Sequence, residues 1–133
     1  MTAKLPNSQA AVNRIKREYK RNAKHRNQEF ELTDLDFFGL LKADCYYCGK
    51  SKSNLLHSTD FYYNGIDRLN PEVGYTTDNS VPCCRECNFA KQGMTKEQFL
   101  FWLNKTYTYL TKMGKLNDLN SCETQAGCDK IFN

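Results

Sequence analysis

The stretch that decides the fold runs from Cys45-Tyr46-Tyr47-Cys48 to Cys84-Arg85-Glu86-Cys87 and its continuation Asn88-Phe89-Ala90-Lys91. Each pair has the C-x2-C spacing that lets two thiolates reach one ion at ~2.3 Å, and two such pairs close a tetrahedral shell. With no position left for water, a zinc ion held by Cys45, Cys48, Cys84 and Cys87 is structural, and its binding energy substitutes for a large core. The 35 residues separating Cys48 from Cys84 exceed the gap of many zinc fingers. Cys83 competes with Cys84 as a ligand, but only Cys84 stands two residues from Cys87, so Cys83 is expected to be a buried thiol. The alternative, a redox C-x2-C of thioredoxin type, needs a βαβ context that the surrounding pattern does not offer.

Between the pairs, Gly, Asn, Asp, Tyr and Ser dominate and no apolar stripe of helical period persists. Gly65 to Leu69 and Asn79 to Cys83 read as two short strands, joined by a loop in which Pro71 and Gly74 are turn residues. After the second pair a helix is expected from about Arg85 to Gly93. Thr95 followed by Gln98 matches a capping box opening a last helix to about Met113, with Phe99, Trp102, Leu103 and Leu110 as its buried face.

On the N-terminal side, Val12, Ile15, Tyr19 and Ala23 recur at helical spacing and predict a helix over about 8–28. A second helix follows Thr33, a capping hydroxyl, with Asp34 and Asp36 in its positive first turn and Leu35, Phe38 and Leu41 turned inward. It ends near Ala43. The expected organisation is thus a basic helix and a second helix over 1–44, a zinc-bound core over 45–94, a packing helix over 95–113 and a polar tail over 114–133. The fold class is α+β, a small zinc-stapled domain with flanking helices.

Length and composition agree with this picture. At 133 residues the chain has the size of one domain, and 40% hydrophobic with 26% charged residues excludes a disordered tail as its bulk. No stretch approaches the ~18 apolar residues of a membrane span, and the N-terminus lacks the apolar segment of a secretory signal. The chain is expected to be soluble and intracellular, phage or virus origin being a family-level expectation. Its seven cysteines then point to metal and not to a disulfide framework. Cys122 and Cys128 fit no strong pattern.

The order Gly65-Ile66-Asp67-Arg68, then Asn79, then Cys84-x2-Cys87-Asn88 resembles the zinc-containing HNH (ββα-metal) endonucleases, over roughly Cys45 to Met94. The resemblance implies that Asp67 and Asn88 hold a catalytic divalent cation, and two oxygen donors suit magnesium or manganese. It implies that Asn79 holds the hairpin and orients the catalytic side chain, and that Lys91 and the helix N-terminus supply positive potential at the scissile phosphate of DNA. Taken one at a time, Asp67 and Asn79 could be turn formers and Asn88 a helix cap. In this joint register, with two cysteine pairs, the nuclease site is the better reading.

Arg68 stands where the family usually has the histidine that acts as general base. A guanidinium with a pKa above ~12 orients a phosphate or a water but takes no proton. A minority of the family, including some rare-cutting restriction enzymes, shares this Asp-Arg. Substitutes for the base are His57, Tyr62, Tyr63 and Tyr75, or water activated directly by the cation.

Seven of the 13 residues from Arg14 to Arg26 are Lys or Arg, although the net charge of the chain is only +4. Arg14, Lys16, Arg17, Lys20, Arg21, Lys24 and Arg26 are therefore expected to line a DNA-binding face, with salt-sensitive and sequence-independent affinity, unless they form a merely solvated surface. The function implied is metal-dependent hydrolysis of DNA phosphodiesters, by nicking or double-strand cleavage. The alternative is a non-catalytic zinc-containing nucleic-acid-binding module, and RNA is not excluded as the partner.

Overall fold

In the computed structural model, which describes residues 7–117, the chain divides into two compact units, one up to Thr95 and one from Lys96 onward. Among the described residues the first holds three α-helices and two small antiparallel sheets, and the second holds one α-helix. Cys122 and Cys128 lie outside the described residues.

Helix α1 spans Asn7–His25. Val12, Ile15 and Ala23 of its apolar stripe are buried as the spacing predicts. It ends three residues before the predicted limit, because Asn27 takes a left-handed conformation with φ 54°. The Gln28 amide then donates to the Ala23 carbonyl and the Asn27 amide to the Lys24 carbonyl, at 2.9 and 3.0 Å. Asparagine tolerates that conformation, and this pairing satisfies the last orphan carbonyls.

Helix α2 spans Asp34–Lys42 and is capped as predicted: the Thr33 hydroxyl accepts from the Asp36 amide, and the Asp36 carboxylate accepts from the Thr33 amide. Its buried face differs from the prediction. Leu35 is 81% exposed and Phe38 42%, whereas Phe37 and Leu41 are buried. Phe37 meets Tyr19 edge-on at 5.6 Å between ring centroids and tilts against Phe30 at 6.0 Å. These aromatic partners from outside the helix fix its rotation.

A hairpin that the sequence pattern does not predict follows, β1 (Asn54–Leu55) against β2 (Tyr62–Tyr63). The predicted central hairpin is present as β3 (Gly65–Arg68) and β4 (Ser80–Cys83). They pair antiparallel, with Asp67 opposite Val81 and Arg68 opposite Ser80. Thr77–Asn79 forms a 3-10 turn ahead of β4, which takes Asn79 out of the strand. The connecting loop passes close to the 29–31 backbone. Glu31 donates to the Tyr75 carbonyl and Tyr75 to the Glu29 carbonyl, so Gly74 is forced to be small: a Cβ there would lie 2.6 Å from the Glu29 amide nitrogen.

The apolar core, including Val12, Ile15, Leu32, Phe37, Leu41, Ile66 and Tyr75, lies among α1, α2 and one face of β3. A separate cluster of Cys45, Cys83 and Cys84 sits at the other end of the hairpin. Helix α3 spans Arg85–Lys91 and stops at Gln92, two residues short of the predicted limit.

In the second unit α4 spans Lys96–Lys112. Phe99 is buried and stacks on Trp102, but Trp102 and Leu103 are exposed and Leu110 is only half-buried. The face expected to be wholly buried is therefore not.

Candidate functional site

The four predicted sulfurs converge. One ligand atom from each of Cys45, Cys48, Cys84 and Cys87 lies within 4.8 Å of the others, and the Cys48 and Cys84 sulfurs are 3.7 Å apart. Tetrahedral zinc with ~2.3 Å bonds places its sulfurs ~3.8 Å apart. Local backbone structure builds the group. Gly49, at φ 74°, donates to the Cys45 carbonyl in a tight turn, and the Tyr46 amide donates to the Pro82 carbonyl, which fastens this turn to β4. Cys84 is the N-cap of α3, and its sulfur accepts from the Cys87 amide at 3.4 Å. Lys50 and Glu86 pair at 2.7 Å, joining the two segments again.

The thiols report the crowding of like groups. Burial, then hydrogen bonds to its neighbours, push the Cys87 thiol up, and burial raises Cys84 to about 11. At Cys45 burial also raises the thiol, but the Cys84, Cys48 and Tyr47 backbones outweigh it and bring it down to about 7. A soft divalent cation is the partner this donor set fits, and four sulfurs leave it no open position. Cys83 points elsewhere: its thiol donates to the Cys84 carbonyl, and burial holds it well above the ordinary range.

Beside the cluster, β3, α3 and α1 enclose a cleft of about 360 Å³. Asp67 and Arg68 line it from β3, Asn88 from α3, Glu18 and Asn22 from α1, and Arg26 from just beyond the end of α1. The cleft thus brings together Asp67, Arg68 and Asn88 with Arg26 of the basic run and two of the candidate bases, Tyr63 and Tyr75. Asp67 is nearly buried, and its carboxylate is held from the protein side. The Tyr47 hydroxyl donates to Oδ2 at 2.8 Å, and the Lys91 ammonium lies 3.2 Å from Oδ2 and 3.4 Å from Oδ1. Burial first, then Asp67 itself, push the Tyr47 hydroxyl far up, which keeps it a donor.

Two residues expected on the DNA-facing surface are not there. Lys91 is 0% exposed, ion-paired to Asp67 and donating to the Arg68 carbonyl at 3.0 Å, so in this conformation it reaches no phosphate. Lys16 is buried under α1 with its ammonium on Asp34 and the Leu32 carbonyl. Lys91 thereby trades surface potential for neutrality in a buried ion pair, whereas the partner of Lys16, Asp34, is exposed. The remaining residues of the basic run, Arg14, Arg17, Lys20, Arg21, Lys24 and Arg26, are exposed.

Arg68 is anchored through one nitrogen, Nη1. Its guanidinium donates to the Gln28 side-chain oxygen and to the Pro71 carbonyl and lies over the Tyr75 ring at 5.3 Å. Asn79 lies behind the cleft: its amide donates to the carbonyls of Asn70, Val73 and Gly74, and its oxygen accepts from the Asn70 amide. It holds the loop that carries Pro71, and through Pro71 it bears on Arg68.

Of the candidate bases, Tyr63 and Tyr75 line the cleft; His57 and Tyr62 are not among the described residues that do. His57 is exposed and bonded to Ser58. Burial raises both cleft tyrosines, with Glu18 adding to Tyr63 and Arg68 partly offsetting at Tyr75. Both hydroxyls are donors at neutral pH. Glu18, Asn22, Gln28 and Tyr47 are site residues that sequence reasoning missed. Glu18 and Asn22 carry one signal, the spacing Glu18, Asn22, Arg26, which sets one face of α1 toward the cleft; Gln28 and Tyr47 carry none.

No helix among the described residues is long and apolar enough to cross a membrane. No family model matches the chain. Over 82 residues, 62% of the chain, it is 39% identical to the uncharacterized protein R423 of Acanthamoeba polyphaga mimivirus, and the match spans 14% of that protein's length. Its backbone is similar to that of the rare-cutting HNH restriction endonuclease PacI, with a TM-score of 0.54 over 86% of each chain at 17% identity. Four helices, two small antiparallel sheets and a cysteine cluster that can hold zinc give this chain an HNH-like α+β fold.

Proposed function

We propose that the chain is a metal-dependent endonuclease that hydrolyses DNA phosphodiester bonds, with a structural zinc on Cys45, Cys48, Cys84 and Cys87 and a magnesium or manganese ion held by Asp67 and Asn88. The observation that carries this reading is the convergence of Asp67, Arg68 and Asn88 on one cleft whose far wall is the basic helix α1. The two oxygen donors fit a hard cation. Such an ion, when bound, supplies Lewis acidity to the phosphate and the leaving oxygen.

The protein's own groups do the rest. Arg68, immobilised by Gln28, Pro71 and Tyr75, presents fixed positive charge to the phosphate without the entropy of an unrestrained side chain. Asn79 holds the loop against which Arg68 is braced. Arg68 cannot take a proton, and the cleft tyrosines are held protonated. Glu18, a carboxylate facing the cleft, is the group we assign to accept the proton of the attacking water. Arg26 at the cleft and the other exposed basic residues of this run, Arg14, Arg17, Lys20, Arg21 and Lys24, attract the phosphate backbone without reading its sequence.

Nicking of supercoiled plasmid with added magnesium or manganese tests the reading, with Asp67→Ala protein of matched zinc content beside the wild type. Conversion to open-circular DNA by the wild type alone supports it. Plasmid bound but uncut by both proteins removes the catalytic claim and favours a DNA-binding zinc module. The observation on that side is that no histidine stands among the described residues lining the cleft. Single-stranded RNA offered in parallel decides between nucleic acids.

A further inference from the structure

We propose that Tyr47 and Lys91 are positioning residues for Asp67, so that the cysteine cluster sets the geometry of the metal-binding carboxylate as well as stapling the fold. The proposal rests on the reading of Asp67 as a ligand of the working ion. Tyr47 sits between Cys45 and Cys48, and Lys91 stands four residues after Cys87 on the helix that Cys84 caps. Each cysteine pair thus sends one side chain to the same carboxylate. Neither side chain lines the cleft, while Asp67 does, so both approach from the protein interior.

The two contacts are unequal in chemistry. Tyr47 is a neutral donor at 2.8 Å from Oδ2, and it fixes the rotation of the carboxylate without changing its charge. Lys91 lies closer to Oδ2, at 3.2 Å, than to Oδ1, at 3.4 Å. By hydrogen bonding, Tyr47 takes Oδ2 and Lys91 takes Oδ1, so each oxygen keeps lone-pair capacity for a cation entering from the cleft. Lys91 also balances the charge of a nearly buried carboxylate, and its own positive charge opposes a divalent cation arriving at the same group. Tyr47 orients the ligand; Lys91 stabilises the metal-free site and restrains its affinity. The two residues should consequently act on metal binding with opposite signs.

The test is calorimetric titration of manganese into zinc-loaded protein, with the zinc content of every variant measured. Asp67→Asn is expected to abolish manganese binding. Tyr47→Phe, which removes only the hydroxyl, is expected to weaken it about tenfold, as loss of an outer-shell partner does. Lys91→Met is expected to tighten it while lowering the thermal midpoint. Should Lys91→Met fail to fold, Tyr47→Phe decides alone. Unchanged manganese affinity in Tyr47→Phe, where Asp67→Asn abolishes binding, overturns the proposal and leaves the reading of Asp67 standing. Manganese binding that survives Asp67→Asn overturns both.

Discussion

Replacing Asn79 by alanine removes a side chain that makes four hydrogen bonds to the loop between β3 and β4. Asn79 is buried, as is Gly74, one of the residues whose carbonyl it satisfies. A typical internal hydrogen bond is worth ~1 kcal/mol net, and a buried group left unpaired costs about 1–3 kcal/mol. Val73 is exposed and Asn70 half-buried, so water recovers part of the loss at their carbonyls. The Gly74 carbonyl keeps the Thr76 amide at 3.2 Å, so the Asn70 amide bears most of it, which places the destabilisation at about 2 kcal/mol. The loop also supplies the Pro71 carbonyl to both Arg68 and Gln28, so a loosened loop frees the guanidinium. Urea unfolding of zinc-loaded protein measures the first effect as a drop in midpoint at unchanged slope. Plasmid nicking measures the second, as a fall in rate larger than the unfolded fraction explains. A loss under about 1 kcal/mol would refute the argument, because the loop would then be held by its backbone alone.

Gly74→Ala forces a methyl group against the Glu29 backbone and should destabilise the chain at least as much as Asn79→Ala, read in the same urea assay. Charge reversal of Arg17, Arg21 and Lys24 should weaken DNA binding and flatten its dependence on salt, by ~0.9 in log–log slope for each phosphate no longer neutralised. Lys16→Met should leave that slope unchanged in the same binding titration, because its ammonium is spent on Asp34 and Leu32. Removing zinc with a chelator should abolish cooperative unfolding of the segment from Cys45 to Lys91, followed by near-UV circular dichroism.

The cysteine cluster was legible because ligand spacing is local: two residues between sulfurs suffice, and no distant contact has to be guessed. The stripe on α1 was legible for the same reason. Helix α2 was not. Leu35, Phe37, Phe38, Leu40 and Leu41 surround it with apolar groups, so the pattern does not choose a face, and Tyr19 and Phe30 choose it from elsewhere in the chain. The two buried lysines were hidden by composition. Lys16 stands in a basic run and meets an acid 18 residues later, and Lys91 reaches 24 residues back to Asp67. A lysine stem packs as readily as an apolar side chain, so sequence alone does not tell a snorkelling lysine from a paired one. Tyr47 gave no signal at all, since an aromatic between two cysteines is compatible with any orientation.

The distribution of buried groups explains why site and staple are inseparable here. The apolar core covers the side of the β3–β4 hairpin where Ile66 points, toward α1 and α2. Asp67, next along the strand, instead meets Tyr47 and the buried ammonium of Lys91 and borders the cleft. A strand's alternation forces this division: a residue beside Ile66 cannot share its core. An apolar layer packed against Asp67 would desolvate its carboxylate at a large cost. A metal-stapled sulfur cluster supplies rigidity of another kind. With zinc bound, it would tie the 45–48 turn to the start of α3, and these are the segments that bring Tyr47 and Lys91 to the Asp67 carboxylate.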